Sequence, residues 1–421
     1  MTLDAAAHLW HPWSAFGATV PTMVAGSGCR VVDRSGKSYI DAISGALNVS
    51  CGYGQTSIVD AATRQMLRLP HFDGMTATHA PAAELAARLA DLLPGTLSRV
   101  LFANSGSEAN EAAVRMVMDY WRNVGTPRER FITLQVGYHG STMITQYLSG
   151  LSFVSQPSIA PFPVARVTLP SAASQLRALG AADLLLAEFE KSMDAGEGPA
   201  AAVVIEPLPN VGGGVVLPPG FLRGLRELCD SRGTLLVVDE IFTGFGRTGR
   251  MFAVDHEDIT PDVMTVSKGI SSGYVPLSAV AATERIYASY DGAEIPVLRY
   301  GHTTSGHAVA CAVALAVLDV IHEHKLVENA DQRGNQLLSG LLGLTSTQGV
   351  SDVRGLGLCT VVQMDSPDRA AAVKARAKDL GALLRVQDCS VMAIPPLIVD
   401  AADVDELVAI MSAAVSGTGE Q

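Results

Sequence analysis

The chain has 421 residues, room for two or three folding units at ~100–200 residues each and for a large core. Apolar residues make up 48% of it and charged residues 17%, which excludes an intrinsically disordered chain. With 30 Lys and Arg against 42 Asp and Glu the net charge is −12, which disfavours nucleic acid and anionic membranes as partners.

Along the chain, residues 1–10 (MTLDAAAHLW) show neither a basic leader nor the apolar core of a secretory signal. The 1–50 stretch, with Trp10 and Trp13 in LWHPWS, is expected to pack on a small domain rather than to form one. From 51 to 305 short apolar runs alternate with helical patterns. RVLFAN (99–104), FITLQV (131–136), AAVVIE (201–206), TLLVVDE (234–240) and VMTVS (263–267) are continuous runs, as in strands covered on both faces. Between two of them, residues 220–232 set Leu222, Leu225 and Leu228 on one helical stripe. Such alternation predicts an α/β domain with a mostly parallel sheet. Residues 306–421 open with two long Ala- and Leu-rich helices and continue into a smaller α+β domain. The longest apolar run, 308–318, has 11 residues, short of the ~20 that a spanning helix needs. Six cysteines are scattered with no C-x-x-C pair, the usage expected of reduced thiols in a cytoplasmic protein.

Polar and reactive residues follow the predicted strands: Ser105-Gly106-Ser107, Tyr138-His139, Glu206, Asp239-Glu240 and Lys268. In open α/β sheets ligands bind at the carboxyl ends of strands, so these segments can converge. Lysine is scarce, and Lys268 stands apart in TVSKGISSGYVPLSAV among small and apolar neighbours. Poor solvation lowers an amine's pKa and makes it a nucleophile toward an aldehyde; the plainer alternative is a snorkelling loop lysine. Asp239 closes an apolar strand, and a carboxylate there needs a cationic or donor partner. A pyridinium N–H, a metal or a structural ion pair would serve, but no His/Cys set sits at ligand spacing nearby. Gly106 allows close backbone approach at a helix start, which makes SGSE either an anion cup or a simple N-cap. Neither a P-loop nor a complete dinucleotide fingerprint is present.

An aldehyde-capturing lysine, a strand-end aspartate and a phosphate cup together match the needs of pyridoxal 5′-phosphate. The segments NSGSEANEAAVRM, GYHGST, VVIEPL, VVDEIFTGFGRTGRMFA, PDVMTVSKGISSGYVPLSAV, GHTTSGHAVA, VRGLGL and IPPLIV occur in order along the chain. In this the sequence resembles the class III (ω-) aminotransferases of the fold-type I pyridoxal-phosphate enzymes. The resemblance implies a large cofactor-binding domain with a mixed, mostly parallel sheet and a smaller α+β domain. It makes Lys268 the Schiff-base lysine and proton shuttle, and Asp239 the partner of the ring nitrogen. Ile241 and Tyr138 would cover the two ring faces, and Ser105, Gly106 and Ser107 would hold the phosphate. Thr303 would reach the phosphate of a neighbouring subunit, hence a homodimer. Glu206 would lie on the substrate side of the cofactor, while His139 and Arg247 read as structural.

Departures from the family pattern bear on substrate. Members that bind a substrate carboxylate with the arginine of Y-H-G-R-T differ from this chain, which has Ser141 there. That favours a resemblance to amine:pyruvate, β-alanine:pyruvate and diaminopelargonate transaminases. Arg385, ahead of the IPPL segment, matches the position of a mobile arginine; a surface strand arginine is the alternative. An arginine can bind a carboxylate bidentately and swing away for an apolar amine. Leu47 stands where SGLW-type members carry an aromatic, Thr304 and Pro209 also depart, and Trp10 and Trp13 are candidates to supply aromatic surface instead. The implied activity is transamination between an amine donor and a carbonyl acceptor. A pyridoxal-phosphate epimerase, aminomutase or decarboxylase shares the same residues, and a non-catalytic scaffold is disfavoured by the intact Lys268–Asp239 pair.

Overall fold

The computed structural model describes residues 8–15, 20–154, 160–170, 173–196 and 198–418. Its centre is a seven-stranded sheet built from β4 (Leu97–Ala103), β5 (Phe131–Leu134), β6 (Val164–Val167), β7 (Ala202–Ile205), β8 (Leu235–Asp239), β9 (Val263–Val266) and β10 (Ser278–Thr283), after three N-terminal strands β1 (Met23–Ser27), β2 (Arg30–Asp33) and β3 (Ser38–Asp41). The spatial order is β4-β10-β9-β8-β7-β5-β6. β10 runs antiparallel to both of its neighbours, and β9, β8, β7, β5 and β6 are mutually parallel. Every residue of β5, β7, β8 and β9 is buried, which is why these segments read as unbroken apolar runs. The helix Phe221–Ser231 puts Leu222 and Leu225 into the core as the stripe predicted.

The parallel order decides what meets. Four adjacent strands, β9, β8, β7 and β5, end at one edge of the sheet. Lys268 lies two residues beyond β9, Asp239 ends β8, Glu206 follows β7 directly, and Tyr138 lies four residues beyond β5. β4, antiparallel to β10, delivers Ser105–Ser107 to the same edge. The helix Gly106–Asn123 starts there and runs back over the sheet, burying Ala113, Val114 and Val117.

The C-terminal part adds β11 (Val350–Gly355), β12 (Thr360–Met364), β13 (Ala382–Leu383), β14 (Arg385–Gln387) and β15 (Ser390–Ala393). Four of these form an antiparallel sheet in the order β11-β12-β15-β14, while β13 pairs parallel with β3 and so joins the N-terminal strands. Arg30 adds ion pairs to Asp403 and Glu406 on the last helix, Ala401–Ser416. The helix Ala308–Glu323 packs against Thr56–Arg68 and Ala80–Leu92. Arg247 is fully buried and donates to the carbonyls of Leu358 (3.0 Å) and Pro395 (2.6 Å), linking the loop after β8 to the small sheet. Among the described residues no helix is long and apolar enough to cross a membrane.

Candidate active site

Asp239 is 3% exposed and is held by three donors. Its Oδ2 accepts from Asn110 Nδ2 at 2.7 Å and from the His139 imidazole at 2.9 Å, and its Oδ1 accepts from the Ile241 amide at 3.1 Å. A carboxylate has about four acceptor sites, so Oδ1 keeps capacity for one more donor. Burial alone would push the His139 imidazole down, but the contact with Asp239 outweighs it and holds the pKa above the ordinary value. The other ring nitrogen of His139 lies 3.1 Å from the Thr133 hydroxyl. Asn110 was not among the residues singled out from sequence. Its signal is a polar residue inside the buried stripe of Ala109, Ala113, Val114 and Val117.

Lys268 opens a one-turn helix with φ +41, a left-handed conformation that a side-chain-bearing residue adopts at some cost. Its pKa is lowered because burial disfavours the ammonium; the Asp239 and Glu206 carboxylates oppose that shift and the Arg385 guanidinium adds to it. The residue as a whole is half-buried. Glu206 is buried and its carboxylate accepts from the Tyr138 amide at 2.7 Å. Burial, reinforced by Asp239, pushes its pKa up to about 7 against the opposing charge of His139 and Lys268. Tyr138 is half-buried; burial raises its phenol, with Glu206 and Asp239 acting in the same sense and Ser141 and Arg385 against it.

At the start of Gly106–Asn123, Ser105 Oγ caps the amide of Glu108 at 3.3 Å, and the amides of Gly106 and Ser107 have no intrahelical acceptor. Ser107 Oγ already accepts from the Ser141 amide at 3.2 Å, so its hydroxyl proton is free to donate. A Cβ on Gly106 would stand 2.8 Å from Cδ1 of Ile241, and one on Gly140 would stand 2.5 Å from Ser107 Oγ. Gly106 thus lets the helix start approach Ile241, and Gly140 leaves room for Ser107 and Thr145. Arg385, at the start of β14, is half-buried, and its Nε is a buried atom without a hydrogen-bond partner. Burial lowers its pKa, and it lies near enough to Lys268 and Tyr138 to act on their charge.

The structure therefore brings Ser105, Gly106, Ser107, Tyr138, Glu206, Asp239, Ile241, Lys268 and Arg385 into one neighbourhood at the sheet edge. Leu47 lies in a buried apolar cluster with Leu208, Phe242, Cys359, Val361, Met392 and Ile394, of which Phe242 directly follows Ile241 and Leu208 comes two residues after Glu206. Trp10 is 92% exposed, and Trp13 packs edge-on against Phe153 at 6.4 Å. Thr303 is exposed on a loop whose next residue, Thr304, donates to Asn104 at 2.9 Å. The donor set suits pyridoxal 5′-phosphate: a free amide pair at a helix start, a buried carboxylate with spare acceptor capacity, and a desolvated primary amine. Among the described residues no group of three or more His, Cys, Asp or Glu could hold a metal ion.

Comparison with known proteins agrees with that fit. Residues 17–415 match the aminotransferase class-III family. An adenosylmethionine-8-amino-7-oxononanoate aminotransferase of Geobacter sulfurreducens is 35% identical over 425 residues, covering 95% of this chain and 94% of that protein. A beta-alanine–pyruvate aminotransferase of Pseudomonas aeruginosa is 32% identical over 387 residues, covering 88% and 86%. The crystal structure of the omega transaminase from Pseudomonas jessenii in complex with PMP superposes with a TM-score of 0.94 at 32% identity, covering 100% of this chain and 99% of that one.

Proposed function

Because this chain belongs to the class III aminotransferases and is a pyridoxal 5′-phosphate-dependent transaminase, we propose that Lys268 carries the cofactor and that Asp239 holds its ring nitrogen. Bound there, the cofactor supplies an electron sink for the carbon that loses or gains the amino group. The observation that carries the assignment is the desolvated Lys268 amine set in the field of a buried, triply hydrogen-bonded Asp239. With its depressed pKa, Lys268 Nζ would serve as nucleophile and, once released, as the base that moves the 1,3-proton. Ser105, Gly106 and Ser107 bind the phosphate, with Tyr138 and Ile241 on either face of the ring. Buried Glu206 limits water on the substrate side and holds Tyr138 through its amide.

Substrate selection rests on Arg385. Its partially buried guanidinium with an unpartnered Nε suits a keto-acid carboxylate in one half-reaction, and Leu47 is taken to border the side that receives an amine in the other. The exposed Trp10 and Trp13 serve the substrate entrance, and exposed Thr303 reaches the phosphate of a second copy in a homodimer. On this reading residues 51–305 bind the cofactor, residues 306–421 form the interdomain helix and small domain, and residues 1–50 pack with the latter. Six free cysteines, five of them buried, fit a cytoplasmic protein. The test is borohydride reduction of purified protein: the yellow cofactor should become covalently attached at Lys268, and Lys268→Ala should retain none. An amine panel should bleach the wild-type colour and pyruvate or 2-oxoglutarate should restore it; attachment at any other lysine refutes the assignment.

A further inference from the structure

We propose that Asn110 is a positioning residue for Asp239: from the helix that also offers the candidate phosphate cup, its amide donates to that carboxylate and orients it toward the cofactor's ring nitrogen. Asp239 has this task only on the family reading above, but the two can fail separately.

The amide of Asn110 is fixed in one orientation. Its Oδ1 accepts from the Thr265 hydroxyl at 2.8 Å, and its Nδ2 donates both to Asp239 Oδ2 (2.7 Å) and to the carbonyl of His139 (2.8 Å). A flipped amide would set Oδ1 against a carboxylate and a carbonyl, two acceptors, so donation to Asp239 is the only satisfied arrangement. An aspartate at 110 would place a second carboxylate there, and a leucine would leave Asp239 with two donors. Of those two, the Ile241 amide comes with the turn after β8 whatever its side chain, and His139 is the other side-chain donor. Asparagine is a weak helix former, yet it occupies a buried position in the second turn of an 18-residue helix, where alanine would suit the packing. Thr265, which locks the amide, belongs to β9, the strand that leads into Lys268. The network therefore ties three neighbouring segments to one carboxylate. A donor to a buried carboxylate weakens it as a base, so without Asn110 more of the proton shared with the ring nitrogen would sit on Asp239.

The test uses holoenzyme reconstituted with 15N-labelled pyridoxal phosphate. In Asn110→Leu the ring-nitrogen resonance should move from its wild-type position toward that of a neutral pyridine. The amine half-reaction should slow ~10–100-fold while the amine KM changes little, the size expected for one hydrogen bond to a charged group. Thr265→Val, which keeps Asn110 but frees its amide to rotate, should move the resonance the same way by a smaller amount. A wild-type resonance in either folded variant overturns the proposal, even if Tm falls or turnover slows, because the residue would then only fill space. If Asn110→Leu does not fold, Thr265→Val decides alone by the same criterion. A wild-type protein that takes up no labelled cofactor refutes the family reading of Asp239 instead.

Discussion

Glu240 and Arg385 show how burial alone sets a residue's chemistry. Glu240 is buried, accepts from the Val254 amide at 2.9 Å and from the Thr243 hydroxyl, and its pKa is pushed up from 4.5 to about 7 by desolvation. The unfolded chain releases that proton near 4.5 while the native protein keeps it to about 7. Stability is therefore greatest below the unfolded value and falls as pH rises to about 7, then levels. In cofactor-free protein Glu240→Gln should lessen the drop in urea midpoint between pH 5 and pH 8, part of which remains because Glu206 and His139 shift in the same direction. An identical slope in wild type and variant would show that Glu240 ionises normally. For Arg385→Ala the expectation is ~10–100-fold slower reaction with keto-acid acceptors and little change with amines that lack a carboxylate, measured as separate half-reactions. Equal losses in both would remove its role in selecting substrates.

At the scale of elements, the turn between β11 and β12 is where the small sheet meets the loop after β8. Gly357 has φ +53, and a Cβ there would lie 2.4 Å from the backbone carbon of Thr248 and 2.5 Å from the carbonyl oxygen of Arg247. The contact is backbone against backbone, so no rotamer change relieves it. Leu358 N donates to the Arg247 carbonyl at 3.0 Å across this junction, which makes the close approach a condition of the pairing. Gly357→Ala is expected to cost ~3–5 kcal/mol. Gly36→Ala, also at positive φ (+88) but with open space around the new Cβ, should cost only the backbone term of ~1–2 kcal/mol. Urea midpoints of the two variants should differ accordingly, and equal midpoints would show that the small sheet can slide away from the loop.

For the whole molecule the question is whether one chain completes its own site. Thr303 is exposed, whereas Ser105, Gly106, Ser107 and Lys268 lie together at the sheet edge. If Thr303 serves a second copy, a hybrid of Lys268→Ala and Thr303→Ala protomers holds one site with both residues intact. Each homogeneous variant should be impaired, and mixing after reversible dissociation should restore activity toward that of one wild-type site per dimer. No recovery in a hybrid verified by mass would place Thr303 on its own chain's cofactor.

The continuous apolar runs of β5, β7, β8 and β9 announced a sheet covered on both faces, and polar residues at or just past their ends, Glu206, Asp239 and Lys268, marked the edge where a ligand is proposed to bind. Both are local: a buried strand must be apolar throughout, and a reactive residue must follow it to reach the sheet's edge. What only tertiary structure decided is who holds whom. His139 and Thr265 lie on a loop and a strand 29 and 155 residues from Asn110 in sequence, and the way His139 and Asn110 hold Asp239 while Thr265 holds Asn110 has no local pattern. Arg247 reads from sequence as structural, yet the carbonyls of Leu358 and Pro395 that neutralise its isolation become its partners only when the small sheet packs against the large one. Strand periodicity is a property of neighbours along the chain, while the orientation of a buried carboxylate is a property of donors that meet through folding.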